Sequence, residues 1–194
     1  MIMTAVGASE PSRFVGRAGD KLDAALTAFA IDLAGWTCAD FGCNVGGFTH
    51  CLLTRGAARV YAVDTGYGAL AWTLRQDPRV VVMERTNALY AEAPEPVDLV
   101  AIDVAWTPQK LIVPAARKWL KPGGIIISLL KPHYELAKLQ GRKPRAPLTD
   151  EQSAEVVQEV SRQLADLFCP VQSVLPSTVI GKGGNTEYLL LIRS

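Results

Sequence analysis

A glycine-rich segment that follows an acidic residue carries the clearest chemical signal in this sequence. Residues 37–49, TCADFGCNVGGFT, run from a short apolar stretch through Asp40 into a turn, and a helix is expected to begin near Phe48. The turn contains three glycines, which are Gly42, Gly46 and Gly47. Because glycine has no side chain and tolerates positive φ, such a turn allows a nucleotide-like ligand to approach the backbone. The segment therefore predicts a strand, a ligand-binding turn and a helix start.

The order of these glycines distinguishes between classes of ligand. A dinucleotide-binding turn has the pattern G-x-G-x-x-G and places a pyrophosphate at the helix N-terminus. Here the pattern is G-x-x-x-G-G after Asp40, which favours S-adenosylmethionine, a cofactor without phosphate, over NAD. We therefore expect Asp40, the three glycines and Phe48 to form part of a site for S-adenosylmethionine.

Two further residues are candidates for contacts with the ribose and the base of this cofactor. Asp64 ends the segment RVYAVD, 22 residues after Gly42, where nucleotide-binding folds place the carboxylate that accepts hydrogen bonds from ribose hydroxyls. The alternative role for Asp64 is a helix N-cap or a turn before the GYG segment. Asn87 follows a third apolar segment, and it either binds the adenine edge or forms a turn.

Three charged residues occupy positions where a charge is unfavourable unless it has a function. Asp103 lies near the end of the apolar segment VDLVAIDV, and Lys131 follows IIISLL. Both are expected at the carboxyl ends of strands, where ligands bind in open α/β sheets, so Asp103 should also border the cofactor. Lys21 falls in the first turn of a predicted helix, where the dipole disfavours a cation. The structural alternative for Lys21 is an exposed surface lysine.

The elements that position these residues alternate between strands and helices. Predicted strands end near Asp40 and cover 59–64, 80–84, 97–104, 125–130, 171–176 and 186–192, whereas predicted helices cover 20–30, 47–55, 68–76, 108–120 and 149–167. This alternation is typical of a doubly wound α/β fold. The segment 132–147 is predicted to be irregular. We expect a flexible N-terminus at 1–12 and one domain at 13–194.

The composition is that of a globular protein with one domain. The chain has 194 residues, of which 49% are hydrophobic and 20% charged, enough to bury a full apolar core. No apolar run approaches the roughly 20 residues of a membrane helix, and no secretory signal pattern is present. We therefore predict a cytoplasmic protein without a membrane partner. Four cysteines without C-x-x-C spacing predict reduced, packed thiols and no metal site.

Basic residues cluster in two segments although the net charge is only +1. The segment after Lys131 contains no acid beyond Glu135, and its basic residues are Lys138, Arg142, Lys143 and Arg145. Another basic residue, Arg17, lies in SRFVGRAGD, before the first predicted helix. A basic loop beside a ligand site suits a nucleic-acid backbone, so these five residues are candidates for RNA binding. The alternative is a solvated loop whose charges only maintain solubility.

Six blocks of the sequence resemble one protein family, and they occur in the family's order. The blocks are FVGRAGDKLDAAL, DFGCNVGGFTHCLLTRGAARVYAVDTGYGALAWTLRQDPRV, ERTN, VDLVAIDVAW, LKPGGIIISLLKPHYE and GKGGNTEYLL, and they span residues 13–192. The chain is similar to the TlyA or haemolysin-A-type ribosomal RNA methyltransferases of the FtsJ-like group. The resemblance implies a Rossmann-like fold with a mostly parallel seven-stranded sheet and an antiparallel last strand. It also implies S-adenosylmethionine as methyl donor and a ribose 2′-hydroxyl of ribosomal RNA as acceptor.

The same resemblance implies roles for four residues. FtsJ-like enzymes use a Lys-Asp-Lys-Glu set, whose members fall on Lys21, Asp103, Lys131 and Glu187. In this interpretation the neutral amine of Lys131 takes the proton of the ribose hydroxyl, and the two acids orient the lysines. Two alternatives remain open. One is a small-molecule methyltransferase on the same fold, and the other is a non-catalytic RNA-binding or ribosome-assembly factor that binds S-adenosylmethionine.

The sequence departs from the family pattern in three places. TlyA-type proteins usually carry an RNA-binding S4 domain before the methyltransferase domain, and the stretch before Phe14 is too short for one. The cofactor turn reads CNVGG, and VAW stands where VSF is more usual. Ribosomal RNA or a ribosomal subunit is the expected partner, and we expect either a separate RNA-binding chain or a different RNA target.

Overall fold

The computed structural model describes residues 12–141, 147–181 and 183–193. These residues form the helices and strands α1 Ala18–Ala28, β1 Thr37–Phe41, α2 Gly47–Thr54, β2 Arg59–Val63, α3 Trp72–Arg75, β3 Val80–Met83, β4 Val97–Ile102, α4 Gln109–Arg117, β5 Leu120–Leu130, α5 Pro132–Gln140, α6 Asp150–Asp166, β6 Val171–Pro176 and β7 Tyr188–Arg193. Most of the predicted flexible N-terminus lies outside the described residues, as do Arg142, Lys143 and Arg145.

The strands form one seven-stranded sheet in the order β3-β2-β1-β4-β5-β7-β6. The pairs from β3 to β5 are parallel, whereas β7 runs antiparallel to both β5 and β6. The predicted doubly wound fold with an antiparallel last strand is therefore confirmed. The strand order reverses at β1 and β4, where Phe41 pairs with Val63 on one side and Ile102 on the other. The carboxyl ends of these strands consequently open onto a crevice suited to a ligand.

Apolar side chains cover both faces of the sheet. On one face, α1 and α2 bury Leu22 and Phe48 against strand residues such as Cys38. On the other face, α4 and α6 cover Phe41, whose ring meets the fully buried Trp119 edge-on at 4.9 Å between centroids. Burial of both faces explains why the central strands are almost continuously apolar. This core holds the strand ends at fixed relative positions.

The segment 132–147 was predicted to be irregular, and that prediction is wrong for its first nine residues, which form α5. Pro132 occupies the first helical position, where proline is well tolerated because its missing N–H is not needed. The helix ends at Gly141 with φ 67°, a left-handed C-cap. Other boundaries also differ from prediction. β5 begins earlier, at Leu120, β7 begins later, at Tyr188, and β4 ends earlier, at Ile102. The helix predicted over 68–76 covers only Trp72–Arg75.

Three further features follow from the described residues. Thr149 caps α6 in a capping box with Gln152. All four cysteines are buried and free, and the described ranges contain no cluster of three or more potential metal ligands. Across the same ranges, each helix is too short or too polar to span a bilayer.

Candidate active site

Two adjoining cavities lie beyond the carboxyl ends of the central strands. The first cavity, of about 380 Å³, is bordered by the loops after β1, β2, β3 and β4. The second cavity, of about 370 Å³, is bordered by the start of α1, the loop after β1, the end of β5 and the segment before β7. The two cavities share a wall formed by Gly42, Asn44, Asp103 and Ala105. A group bound in one cavity would therefore lie close to a group bound in the other.

Gly42 is the glycine of the predicted turn that borders both cavities. Its φ is 85°, and a Cβ atom built on it would lie 2.6 Å from the carbonyl oxygen of Asp103. Its backbone N–H donates to the carbonyl oxygen of Val63 at 2.8 Å. Only glycine allows the loops after β1 and β4 to approach this closely. The absent side chain thus shapes the shared wall.

The other predicted cofactor contacts in this turn face the protein interior. A Cβ atom on Gly46, where φ is 99°, would lie 2.2 Å from Cδ1 of Leu74, and one on Gly47 would lie 3.0 Å from Cβ of Ala18 in α1. Phe48 is a core residue. None of Gly46, Gly47 and Phe48 borders either cavity, and their role in cofactor binding stays a prediction. These glycines are required because helices pack against the turn.

Asp40 is fully buried and also lies outside the lining of both cavities. Its Oδ2 accepts hydrogen bonds from the backbone N–H of Thr49 at 2.8 Å and from the Thr49 hydroxyl at 2.6 Å. Burial raises the pKa of Asp40 to about 7, while the Thr49 hydroxyl lowers it and the charge of Asp103 raises it further. Asp40 therefore stabilises the first turn of α2, and its role in cofactor binding stays a prediction.

Asp64 borders the first cavity, where the sequence predicted a ribose-binding carboxylate. One oxygen accepts a 2.8 Å hydrogen bond from the N–H of Asn44, and the other a 2.7 Å bond from the N–H of Gly66. These bonds fix the carboxylate between two loops, and each oxygen retains further acceptor capacity. Asn87 borders the same cavity and also makes a turn bond to the N–H of Leu89 at 3.0 Å.

All four residues of the Lys-Asp-Lys-Glu set border the second cavity. Lys21 Nζ lies 2.5 Å from Glu187 Oε2, and the side chains are 11% and 5% exposed. Lys131 forms a second ion pair with Asp103, with side chains 13% and 20% exposed. Asp103 borders the first cavity as well. Four charges withdrawn from water are thus arranged as two pairs, which limits the cost of their burial.

Aromatic residues that the sequence reasoning missed lie beside these pairs. The rings of Trp106 and Tyr134 have centroids 4.9 Å apart, and those of Tyr134 and His133 are 4.3 Å apart. Burial lowers the pKa of His133, whose Nδ1 has no hydrogen-bond partner among the described residues. Trp106 lies in the loop after β4, and His133 lies in the first turn of α5 after β5. Ligands bind beyond such strand ends, and this position was the available signal. Lys138 lies with Nζ 5.9 Å from the Trp106 ring centroid.

The predicted RNA-binding residues are only partly placed. Arg17 is exposed at the border of the second cavity, immediately before α1. Lys138 is exposed on α5. Arg142, Lys143 and Arg145 follow α5 in the sequence, but they lie outside the described residues.

Comparison with known proteins places this fold and site among enzymes. The chain is 43% identical over 197 residues to the 16S/23S rRNA (cytidine-2′-O)-methyltransferase TlyA of Mycobacterium tuberculosis, covering 99% of this chain and 72% of that protein. It is 32% identical over 181 residues to Hemolysin A of Brachyspira hyodysenteriae, covering 91% of this chain and 75% of that protein. A solved hemolysin homologue from Streptococcus thermophilus has a TM-score of 0.88 at 33% identity, covering 96% of this chain and 69% of that one.

The sheet, the two cavities and these relatives define an S-adenosylmethionine-dependent methyltransferase. The chain belongs to the FtsJ-like methyltransferase family, whose model matches residues 14–194. A magnesium protoporphyrin IX methyltransferase from Synechocystis, solved with bound SAH, shares the fold at 18% identity with a TM-score of 0.62, covering 91% of this chain and 81% of that one. The predicted family, enzyme class and cofactor are therefore confirmed.

Proposed function

We propose that this enzyme transfers the methyl group of S-adenosylmethionine to a ribose 2′-hydroxyl of ribosomal RNA. The observation that carries the proposal is the pair of ion pairs, Lys131 with Asp103 and Lys21 with Glu187, lining a cavity next to the cofactor cavity. Support also comes from the relative named as a 16S/23S rRNA (cytidine-2′-O)-methyltransferase, which is 43% identical.

The first cavity suits the adenosyl part of the cofactor. Its volume of about 380 Å³ falls within the roughly 300–1,000 Å³ of ligand pockets. Asp64 would accept hydrogen bonds from the ribose hydroxyls, Asn87 would contact the adenine edge, and Gly42 leaves room beside the shared wall. When bound, the cofactor supplies an electrophilic methyl group on a sulfonium. The side chain of Asp103 at the shared wall would face this positive charge.

The second cavity suits the ribose that receives the methyl group. The hydroxyl oxygen forms a bond to the methyl carbon, the carbon–sulfur bond breaks with its electron pair on sulfur, and the hydroxyl proton passes to Nζ of Lys131. Only a neutral amine can accept a proton, so Lys131 first releases its ammonium proton to solvent. Asp103 then orients the amine towards the shared wall.

Lys21 and Glu187 play a supporting part in this proposal. Their ion pair brings α1 and the segment before β7 together at the edge of the second cavity. Because Glu187 is already paired with Lys21, it does not compete for Lys131, and Lys21 provides a fixed positive charge near the reacting oxygen. Electrostatic groups that are held in place before the reaction need no reorganisation during it.

An RNA substrate is favoured by the surroundings of the second cavity. The row of rings formed by Trp106, Tyr134 and His133 offers faces on which bases can stack. Arg17 at the cavity border and Lys138 beside Trp106 are positioned to bind phosphates. We propose that Arg142, Lys143 and Arg145, which lie outside the described residues, also contribute to RNA binding.

The test is a methylation assay with labelled S-adenosylmethionine and three substrate pools: extracted ribosomal RNA, intact ribosomal subunits and a metabolite extract. We expect label in RNA, recovered after alkaline hydrolysis in resistant dinucleotides, because a 2′-O-methyl group blocks cleavage at that ribose. Labelled metabolites alone would identify a small-molecule methyltransferase. Label in RNA that alkali releases as mononucleotides would place the methyl group on a base.

A further inference from the structure

Glu135 connects the two helices that flank the Lys131–Asp103 ion pair. It lies in the first turn of α5, and its Oε1 accepts a 2.7 Å hydrogen bond from the N–H of Gln109, the first residue of α4. α4 has no acidic residue in its first turn, and Pro108, its N-cap residue, makes no side-chain bond. Glu135 therefore supplies from a neighbouring helix the acceptor and the negative charge that a helix N-terminus favours.

The side chain of Gln109 extends this connection to β5. It is buried, its Oε1 accepts a 2.6 Å hydrogen bond from the Ser128 hydroxyl, and its Nε2 donates to the Leu129 carbonyl at 3.3 Å. Both partners lie on β5, shortly before Lys131. A closed path of covalent and hydrogen bonds thus runs from Glu135 through α4 to β5, and returns through Lys131 to α5.

The same path fixes the loop that carries Asp103. This loop begins where the N–H of Asp103 donates to the Phe41 carbonyl at 2.9 Å, and it ends at the N-terminus of α4. A shift of that N-terminus would move Asp103, and a shift of α5 would move Lys131. The hydrogen bond between Glu135 and Gln109 joins α5 to α4. Glu135 does not border the second cavity, and it lines a smaller neighbouring pocket together with Gln109 and Lys131.

We propose that Glu135 is a positioning residue for methyl transfer, holding Lys131 and Asp103 in the arrangement in which they pair. This role rests on the proposed function of Lys131 as the base. Burial raises the pKa of Glu135, and the bond from Gln109 lowers it. A carboxylate is therefore kept at a half-buried position where it is unfavourable except for the bond it accepts.

The test compares Glu135→Leu, which removes the acceptor, with Glu135→Gln, which keeps an oxygen that can accept the same N–H. We expect Glu135→Leu to lower the single-turnover methylation rate by at least about 10-fold, since a misplacement of about 1 Å can cost 10²-fold. Glu135→Gln should remain within about 3-fold of the wild type both in rate and in cofactor Kd. Should Glu135→Leu fail to fold, Ser128→Ala breaks the same path and should give a smaller loss of rate.

The matched control is Asp98→Leu. Asp98 also accepts a backbone N–H, that of Thr37 at 2.9 Å, but it lies at the opposite end of the sheet. Hydrogen exchange of segments 103–109 and 129–138 gives a readout without RNA: exchange should accelerate in Glu135→Leu, and not in Glu135→Gln or Asp98→Leu. An inert wild type would refute the proposed function, whereas exchange would still test the positioning role. The positioning role would be overturned if Glu135→Leu left both hydrogen exchange and the methylation rate unchanged. A Glu135→Gln variant as slow as Glu135→Leu would also overturn it.

Discussion

Lys21 and Glu187 are 166 positions apart in the chain, yet Nζ of the lysine lies 2.5 Å from Oε2 of the glutamate. The pair joins α1 to the segment before β7, so the second cavity is closed by residues from both ends of the domain. The fit is tight, because a Cβ atom on Gly181 would lie 2.4 Å from Oε1 of Glu187. Each charge is buried, and each therefore depends on the other for compensation.

Removing one member of this pair should destabilise the protein more than removing both. Lys21→Met leaves the Glu187 carboxylate buried without its partner, and we expect a loss on the order of 3–5 kcal/mol in the free energy of unfolding. The double variant Lys21→Met, Glu187→Leu should recover part of that loss. Urea unfolding of the wild type, both single variants and the double variant measures the coupling. Strictly additive losses would show that the two charges do not depend on each other.

Gly42 offers a direct test of the shared wall between the cavities. Gly42→Ala should weaken cofactor binding, because the new Cβ would lie 2.6 Å from the Asp103 carbonyl oxygen and displace the loop after β4. Gly68→Ala is the matched control, since Gly68 has a similar φ of 74° but no atom within 4 Å of the added Cβ. Calorimetry should show at least about 10-fold weaker binding for Gly42→Ala alone, equivalent to about 1.4 kcal/mol. Equal losses in both variants would point to backbone strain instead.

Because the pKa of Asp40 is raised in the folded protein, the free energy of unfolding should fall as pH rises. Burial raises this pKa from 3.8 to about 7 in the folded protein. The folded state therefore binds the proton more tightly than the unfolded state, and the stabilising contribution is present below about pH 4 and lost by about pH 7. Over this pH range the free energy of unfolding should fall by an amount on the order of 4 kcal/mol.

Asp40→Asn removes this titration while keeping an oxygen that can accept from Thr49. Urea unfolding between pH 5 and 8.5 should show the wild type losing stability relative to Asp40→Asn as pH rises towards 7, after which the difference stays constant. A difference that is the same at every pH would mean that Asp40 does not titrate in this range.

Periodicity and strand ends were sufficient to predict the fold and several positions of the site. Asp64, Asp103 and Lys131 were located because each follows an apolar segment, and the structure places all three at the cavities. Long-range partners could not be predicted in this way, because the contact of Lys21 with Glu187 depends on how α1 and β7 pack. Sequence similarity to a family supplied that pair.

The remaining differences have equally specific causes. A glycine pattern does not distinguish close approach of a ligand from close approach of a helix, and in the structure Gly46 faces Leu74. The basic residues after Lys131 drew attention to a loop, although the proline at 132 and Gly141 mark the ends of a helix. As a result, Glu135 was noted only as an acid and its bond to α4 was missed.

RNA binding should depend on Arg17 and Lys138 through their charge. Arg17→Ala and Lys138→Ala should each weaken RNA affinity and reduce the slope of log K against log salt by roughly 0.7–0.9 per lost phosphate contact. Cofactor affinity should not change. The triple variant Arg142→Ala, Lys143→Ala, Arg145→Ala should reduce the slope further.

Arg193→Ala is the control, because Arg193 ends β7 at the amino end of the neighbouring parallel strands. An unchanged salt slope in all variants would leave these charges without a role in RNA binding.

Lys131 and Lys121 form a matched pair of lysines for the test of the catalytic base. Both lie on or next to β5, and both are paired with a carboxylate, since Lys121 Nζ lies 2.8 Å from Asp98 Oδ2 at the opposite end of the strand. Lys131→Ala should retain cofactor and RNA affinity but lose methyl transfer by a factor on the order of 10²–10⁴, the usual contribution of a general base. Lys131→Arg should be equally inactive, because a guanidinium does not give up its proton at working pH. Lys121→Ala and Lys121→Arg should both react at the wild-type rate.

Single-turnover measurements at saturating RNA and cofactor isolate the chemical step. A Lys131→Arg variant with substantial activity would show that the residue acts as a positive charge rather than as a proton acceptor, and the proton would then have to leave by another route.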